Sequence, residues 1–275
     1  MKKIVLLCVL FFLCLTGTSC FRAGHFEAES VLVPIPGKIS DFHGYLRHDF
    51  VFEGRKCIIV EPKNTAKTRP WVWRARFFGH EPQTDIQLLE HGFHIAYINT
   101  NNMFGSPKAV KQWNDFYKYV TESFGLNKKP ALEGMSRGGL FVFNWAKANP
   151  KKVSCIYADA PVCDIRSWPS RSRKGLWKQC LDQYNLTDQQ ADTARVNPID
   201  NLKPLARQKV PVLIVAGDAD TVVPIKNNAY VFRDNYQKAG SNVKMIVKPG
   251  VNHHPHSLKD PKEIVSFILK ACSVE

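Results

Sequence analysis

Midway along the chain the sequence reads Gly134-Met135-Ser136-Arg137-Gly138, which fits the pattern G-x-S-x-G. A short apolar strand is predicted directly before it, over 130–133, and an apolar helix directly after it, over 140–148. Glycines on both sides of a serine permit a tight strand-to-helix turn that exposes the hydroxyl. The pentapeptide in this setting predicts that Ser136 is a nucleophile and that the backbone N–H of Arg137 faces a developing oxyanion.

Apolar strands alternate with helices on both sides of this turn. Strands are predicted over 50–61, 71–78, 93–98, 130–133, 153–158, 210–216 and 243–247, and helices over 84–91, 108–124, 140–148, 225–239 and 261–271. The continuous apolar runs at 153–158 and 210–216 are typical of central parallel strands. The alternation predicts an α/β fold with a mostly parallel central sheet flanked by helices. The stretch 163–209 has no predicted strand, and we interpret it as a small cap insertion.

Two later loops carry the residues that a serine nucleophile needs, because its hydroxyl reacts slowly without a base. Gly217-Asp218-Ala219-Asp220 follows the strand at 210–216, and Pro249-Gly250-Val251-Asn252-His253-His254 follows the last strand. Together with the G-x-S-x-G turn, these loops make nearly the whole chain after the first twenty residues resemble the α/β-hydrolase superfamily. One departure is Asn252, which stands where members of the superfamily often have glycine.

The resemblance implies a catalytic triad in which Ser136 is the nucleophile, Asp220 the acid and His253 the base. The order of the three along the chain matches that of the superfamily. Alternatives that the sequence leaves open are His254 and His256 for the base and Asp159 for the acid.

The resemblance also implies a second oxyanion donor in the loop after the strand at 71–78. Lipases of this fold often have His-Gly-Gly there, whereas this chain has Gly79-His80-Glu81. The backbone N–H of His80 or of Glu81 is therefore the predicted donor.

Basic and aromatic residues predict the kind of substrate. The formal net charge is +14, and the predicted cap places Arg166 near Trp168 and Trp177, while Arg137 directly follows the nucleophile. Aromatic rings stack on sugars, and guanidinium groups pair with carboxylates. These four residues are therefore the predicted substrate-binding residues for an acidic sugar, with an exposed basic loop over core tryptophans as the alternative.

A serine followed by arginine in the turn resembles bacterial carbohydrate esterases that cleave uronate esters. The resemblance implies a serine esterase acting on acidic polysaccharide, with methyl esters of pectic uronates as the leading substrate. A sugar O-acetyl esterase, a serine peptidase of the same fold and a non-catalytic glycan-binding protein are the alternatives. No cofactor is expected, and the sequence has no nucleic-acid-binding motif.

The first twenty residues predict export. Lys2 and Lys3 precede an apolar run, and small residues follow it up to Cys20, as in a secretory signal peptide. We predict a signal over 1–20 and an α/β-hydrolase domain over 21–275. Either simple cleavage or lipidation of Cys20 follows, so the expected location is the periplasm or, as a lipoprotein, the cell surface or outer membrane. A lipid on Cys20 would be the only membrane anchor.

Cysteines after the signal suggest a disulfide rather than a metal site. Cys163 and Cys180 flank the basic segment of the predicted cap and are the predicted pair, with free, buried thiols as the alternative. Because neither a CxxC motif nor a His-Cys cluster is present, no metal site is expected.

Overall fold

Nine strands form one sheet in the computed structural model, which describes residues 32–274. The first three are consecutive antiparallel neighbours: β1 (Lys38–Phe42), β2 (Tyr45–Phe52) and β3 (Arg55–Val60). The other six pair with one another in parallel: β4 (Trp71–Arg74), β5 (His94–Ile98), β6 (Ala131–Met135), β7 (Cys155–Asp159), β8 (Val212–Gly217) and β9 (Val243–Lys248). The order is β1-β2-β3-β5-β4-β6-β7-β8-β9. The predicted mostly parallel sheet is confirmed.

Helices connect the parallel strands and cover both faces of the sheet. They are α1 (Gln83–Glu90), α2 (Pro107–Ser123), α3 (Gly138–Ala148), α4 (Lys174–Tyr184), α5 (Gln190–Thr193), α6 (Lys203–Arg207), α7 (Ala229–Lys238) and α8 (Lys262–Cys272). None of the helices in the described residues combines the length with the apolar composition that a membrane span needs. The predicted signal over 1–20, with Cys20, lies outside the part that the structure describes.

Alternating side chains of the strands divide the core into two layers. Trp71 and Trp73 of β4 enter the layer that holds α2 and α3, whereas Val72 enters the layer that holds α1 and α8. Trp73 stacks on Trp113 of α2 with ring centroids 4.1 Å apart, and its centroid lies 5.0 Å from that of Trp145 of α3. These aromatic contacts fix α3, and with it the turn that carries Ser136, against the middle of the sheet.

The amino-terminal region departs from the prediction in two places. The single strand predicted over 50–61 is a hairpin, because Glu53 and Gly54 turn the chain with φ of 47° and 73°. The two halves, β2 and β3, then pair side by side. A further strand, β1, lies in the proline- and glycine-containing region before Gly44, where no strand was predicted.

The strand predicted over 71–78 is also shorter, since β4 ends at Arg74. The chain then bends over the carboxyl end of the sheet, with positive φ at Phe77, Gly79 and Glu81. This loop, 75–82, therefore lies next to the turn between β6 and α3 rather than extending the sheet.

The stretch 163–209, interpreted from the sequence as a cap, contains α4, α5 and α6 between β7 and β8. Several of its buried side chains belong to the main core layer, among them Ile165, Leu181 and Leu205. The predicted disulfide is wrong: Cys163 and Cys180 are both free and buried. Burial raises the pKa of the Cys180 thiol to about 12, so both cysteines behave as small apolar core residues.

Candidate active site

Ser136 occupies the sharp turn between β6 and α3. Its φ is 50°, in the left-handed region, which costs a non-glycine residue roughly 1–3 kcal/mol and is maintained only by surrounding structure. The Ser136 N–H donates to the Asp159 carbonyl at 2.8 Å, and its carbonyl accepts from the Val162 N–H at 2.9 Å. A Cβ on Gly134 would lie 2.7 Å from Val142 Cγ2. The turn therefore needs this glycine, and β7 fixes the backbone of the serine.

A chain of hydrogen bonds links Ser136 to the two residues assigned to it from the sequence. His253 Nε2 lies 3.0 Å from Ser136 Oγ, and His253 Nδ1 lies 2.7 Å from Asp220 Oδ2. The second oxygen of Asp220 accepts from the N–H groups of Val222 and Val223, each at 2.8 Å. The carboxylate is thus held in one orientation and fixes the proton of the imidazole on Nδ1, which leaves Nε2 facing the serine.

The surroundings of His253 favour the neutral form of its imidazole. Burial lowers the pKa of His253 below its usual 6.5, the Asp220 carboxylate partly opposes this shift, and the nearby His256 and His254 reinforce it. A lowered pKa keeps Nε2 free to accept the serine proton at neutral pH.

The alternative base and acid occupy different positions. His254 is exposed and has no hydrogen bond to Ser136 among the described contacts. His256 is buried and its Nδ1 lies 2.6 Å from Asp159 Oδ1, while Asp159 Oδ2 accepts from the Ser257 N–H at 2.8 Å. Asp159 therefore pairs with His256 and not with His253.

In the loop 75–82, one of the two backbone N–H groups predicted as an oxyanion donor already has a partner. The His80 N–H donates to the Phe77 carbonyl at 3.0 Å and is thus already used in a turn. Glu81 does not line the cavity that contains Ser136, whereas Phe77 and Phe78 do. Arg137, whose N–H is the other predicted donor, is the residue directly before α3, as the mechanism requires.

Ser136 lines a cavity of about 440 Å³. Its lining residues are Phe77, Phe78, His80, Ser136, Arg137, Trp168, Leu176, His253, His254 and His256. The Arg137 guanidinium lies 5.4 Å from the centre of the Phe77 ring and 5.5 Å from that of Trp168, and donates to Asn102 Oδ1 at 3.2 Å. The cavity thus combines a cation with aromatic faces close to the hydroxyl.

Two of the predicted substrate-binding residues lie elsewhere. Arg166 forms a bidentate pair with Asp164, with the shortest contact 2.7 Å, and lines a different depression. The Trp177 Nε1–H donates to Asp188 at 2.6 Å, and its ring is buried. Both side chains therefore make structural contacts within the segment 163–209, each with an aspartate of that segment.

A buried ion cluster beneath the site has no counterpart in the sequence prediction. Arg74, at the end of β4, contacts Asp85 of α1 and the His80 carbonyl, and its Nη1 lies 3.2 Å from Glu133 Oε1. Burial raises the pKa of Glu133 well above its usual value, which the positive charge of Arg74 opposes. The cluster ties the loop 75–82 to β6 one residue before the G-x-S-x-G turn.

The fold and this site define the class of the protein: it is a serine hydrolase with the α/β-hydrolase fold. Residues 108–273 match the sequence model of the prolyl oligopeptidase family (Peptidase_S9), and the chain belongs to this family. A comparison with curated protein sequences gave no match.

Solved structures share the fold at low identity. Est1E from Butyrivibrio proteoclasticus is 21% identical with a TM-score of 0.58, and the match covers 82% of this chain and 99% of Est1E. Dipeptidyl peptidase 4 from Porphyromonas gingivalis is 15% identical with a TM-score of 0.60, covering 84% of this chain and 35% of the peptidase. The chain therefore spans about a third of the length of that peptidase.

Proposed function

We propose that the protein is a carboxylic ester hydrolase in which Ser136, His253 and Asp220 form the catalytic triad. The observation that carries this proposal is the continuous chain from Ser136 Oγ through His253 to Asp220, with contacts of 3.0 and 2.7 Å. At its Ser136 end, this series of hydrogen bonds reaches a cavity that can admit a small ester. These distances are those that proton transfer from a serine nucleophile requires.

In the proposed reaction, Ser136 Oγ attacks the ester carbonyl carbon while His253 Nε2 takes the serine proton. The negative charge that develops on the carbonyl oxygen faces the Arg137 N–H at the start of α3, together with an N–H of Phe77 or Phe78 in place of the N–H of His80 or Glu81 predicted from the sequence. His253 then gives its proton to the leaving alkoxide, and the acyl group stays on Ser136. Water, deprotonated by His253, attacks the acyl carbon and releases the acid and the free serine.

The proposed substrate is an ester of an acidic carbohydrate, with a methyl uronate as the leading example. The Arg137 guanidinium supports this proposal because it can pair with a neighbouring free carboxylate of the polysaccharide. The rings of Phe77 and Trp168 offer faces for a sugar. Since Arg166 and Trp177 lie away from the cavity, only Arg137 and Trp168 of the four residues predicted from the sequence are kept as binding residues in this proposal.

Peptide hydrolysis is the second candidate, favoured by membership of the prolyl oligopeptidase family. The described lining of the cavity opposes cleavage close to a free amino terminus, because it contains no aspartate or glutamate to pair with a protonated amine.

A sugar O-acetyl ester fits the triad equally well but gives Arg137 no role. A purely glycan-binding protein would have no use for the hydrogen-bonded serine, histidine and aspartate.

The test is product release from matched substrates by the purified protein and its Ser136→Ala variant. Methanol from methyl-esterified pectin, lost in the variant, is the expected result. Acetate from acetylated glycans instead would identify a deacetylase, and cleavage of peptides alone would replace the ester proposal by the second candidate. An Arg137→Gln variant should raise KM for partly de-esterified pectin more than for a neutral small ester.

We also propose that the protein acts outside the cytoplasm, on the basis of the sequence of residues 1–20. The mass of the protein recovered from its native cells distinguishes the two predicted forms. A mature protein that begins near Cys20 without added mass would indicate simple cleavage, and one with added acyl and glyceryl mass would indicate a lipoprotein.

A further inference from the structure

Three histidines from two distant parts of the chain meet at the mouth of the cavity. One ring nitrogen from each of His80, His254 and His256 lies within 4.8 Å of the other two. The ring of His80 is nearly perpendicular to those of His254 and His256, with centroids 5.9 and 5.8 Å away. The centroids of His254 and His256 are 4.7 Å apart. Three imidazoles thus face one small volume.

One of the three is already oriented as a metal ligand would be. The buried His256 has Nδ1 2.6 Å from Asp159 Oδ1, so its proton is held there and Nε2 is left with a free electron pair. Asp159 is itself fixed by the Ser257 N–H at 2.8 Å and by the Tyr157 hydroxyl at 3.0 Å. A carboxylate behind the imidazole fixes its tautomer and raises its basicity toward a metal.

The other two are free to close on an ion. His80 and His254 are exposed, and their rings make no hydrogen bond within the described part of the chain. In a tetrahedral zinc site, with bonds of about 2.0–2.1 Å, ligand nitrogens lie roughly 3.3 Å apart. If the two exposed side chains rotate so that their ring nitrogens move by about 1–2 Å, the nitrogens reach that spacing.

We propose that His80, His254 and His256 form a binding site for a divalent transition metal of the zinc type, and that metal binding inhibits hydrolysis. Imidazole nitrogens select Zn²⁺, Cu²⁺ or Ni²⁺ over Mg²⁺ and Ca²⁺, which prefer oxygen ligands. All three histidines line the same cavity as Ser136, so an ion there, with the water in its fourth position, occupies the space of the substrate. The inhibitory part rests on the proposed hydrolase function, whereas metal binding does not.

Metal binding is tested first on the Ser136→Ala protein, prepared without a histidine tag, so that its outcome is independent of turnover. Titration with Zn²⁺ in a calorimeter and with Co²⁺ by visible absorption should show one saturable site with tetrahedral Co²⁺ bands. His80→Gln and His254→Gln should each weaken binding by at least about tenfold. The exposed His91→Gln serves as the control and should leave the affinity unchanged. Absence of a saturable site, or equal affinity in all these variants, overturns the proposal.

A fourth variant tests the orientation of His256. Asp159→Asn should weaken zinc binding by about 10–100-fold, as the loss of a partner behind a ligating histidine does. Circular dichroism and thermal unfolding identify any variant that has lost its fold, and the two exposed substitutions then remain decisive.

Inhibition is tested on the unsubstituted protein with whichever ester it hydrolyses. Turnover should fall with added Zn²⁺ along the same curve as metal binding, and EDTA should restore it. Binding without any change of turnover would overturn the inhibitory part while leaving the site. If no ester or peptide is hydrolysed at all, the proposed function fails, and the calorimetric result still decides the metal site.

Discussion

At the scale of single residues, Asp220 shows how the site is held together. Both of its oxygens are engaged, one by two backbone N–H groups and the other by His253. It is buried, so its partners rather than water determine its orientation. The neighbouring Asp218 is exposed, and its carboxylate accepts from the Gly250 N–H at 2.7 Å. Two carboxylates in one loop therefore have separate roles.

Asp220→Asn should lower kcat by about 10⁴-fold, because an amide favours the wrong tautomer of His253 and cannot stabilise the imidazolium. KM should change little, since Asp220 does not line the cavity. Asp218→Asn is the matched control and should keep nearly full activity. Similar kcat values for the two variants in steady-state assays would argue against the assigned acid.

The pH dependence of the reaction reports on His253. Because burial lowers its pKa below 6.5, the base loses its proton at lower pH than a free histidine does, and activity should persist into mildly acidic solution. The acidic limb of the kcat/KM profile, measured in EDTA to remove adventitious metal, should have its midpoint below pH 6.5. A midpoint above that value would mean that the ion pair with Asp220 outweighs burial.

The residues of the triad were predictable because each stands in a loop with a recognisable pattern. The cluster of His80 with His254 and His256 was not, since no sequence spacing links a loop before α1 to one before α8.

At the scale of elements, the contact between β4, α1 and β6 depends on Arg74. Its side chain is 1% exposed and lies between two acidic groups that are equally buried, Asp85 and Glu133. Removal of one member of such a group leaves the others as uncompensated polar or charged groups in the core. The cluster thus couples the stability of the sheet to the position of the loop 75–82.

Arg74→Leu should lower the free energy of unfolding by about 3–5 kcal/mol, as the loss of a buried ionic partner does. The surface pair of Arg47 with Asp49 offers the control, and Arg47→Ala should cost about 0–1 kcal/mol. Chemical denaturation of both variants gives the comparison. Equal costs would show that the buried cluster adds nothing beyond a surface ion pair.

The bounds of elements with long apolar runs were predicted to within a few residues. A strand that is buried on both faces of the sheet has apolar residues at every position, which is easily seen in the sequence. The hairpin of β2 and β3 was predicted as one strand, since Glu53-Gly54 lacks the asparagine or aspartate that usually marks such turns. β1 lies at the sheet edge, and exposed residues such as Ile39 and Lys38 give it no periodic apolar signal.

At the scale of the whole molecule, we expect acid stability to depend on a histidine that does not line the cavity. His94 begins β5 and is fully buried. Burial, with a smaller effect of the charge on Arg69, lowers the pKa of His94 to about 4. The folded protein therefore excludes a proton that the unfolded chain binds below about pH 6.5.

Because the pKa of His94 is lower in the folded than in the unfolded protein, the free energy of unfolding is highest above about pH 6.5 and decreases as pH falls toward 4. The lowering of the pKa from 6.5 to about 4 corresponds to a loss of about 3 kcal/mol in the free energy of unfolding. His94→Asn should flatten the fall in unfolding free energy over this range, whereas the exposed His91→Asn should not. Parallel pH dependences in the three proteins would assign the acid sensitivity to other groups.

The proposed reaction depends above all on Ser136 as the nucleophile. The most direct measurement is reaction of the protein with a fluorophosphonate, followed by mass spectrometry of its peptides. We expect one adduct, on the peptide that contains Gly134-Met135-Ser136-Arg137-Gly138, and none in the Ser136→Ala variant. An unlabelled protein, or an adduct on another residue that persists in the variant, would contradict it.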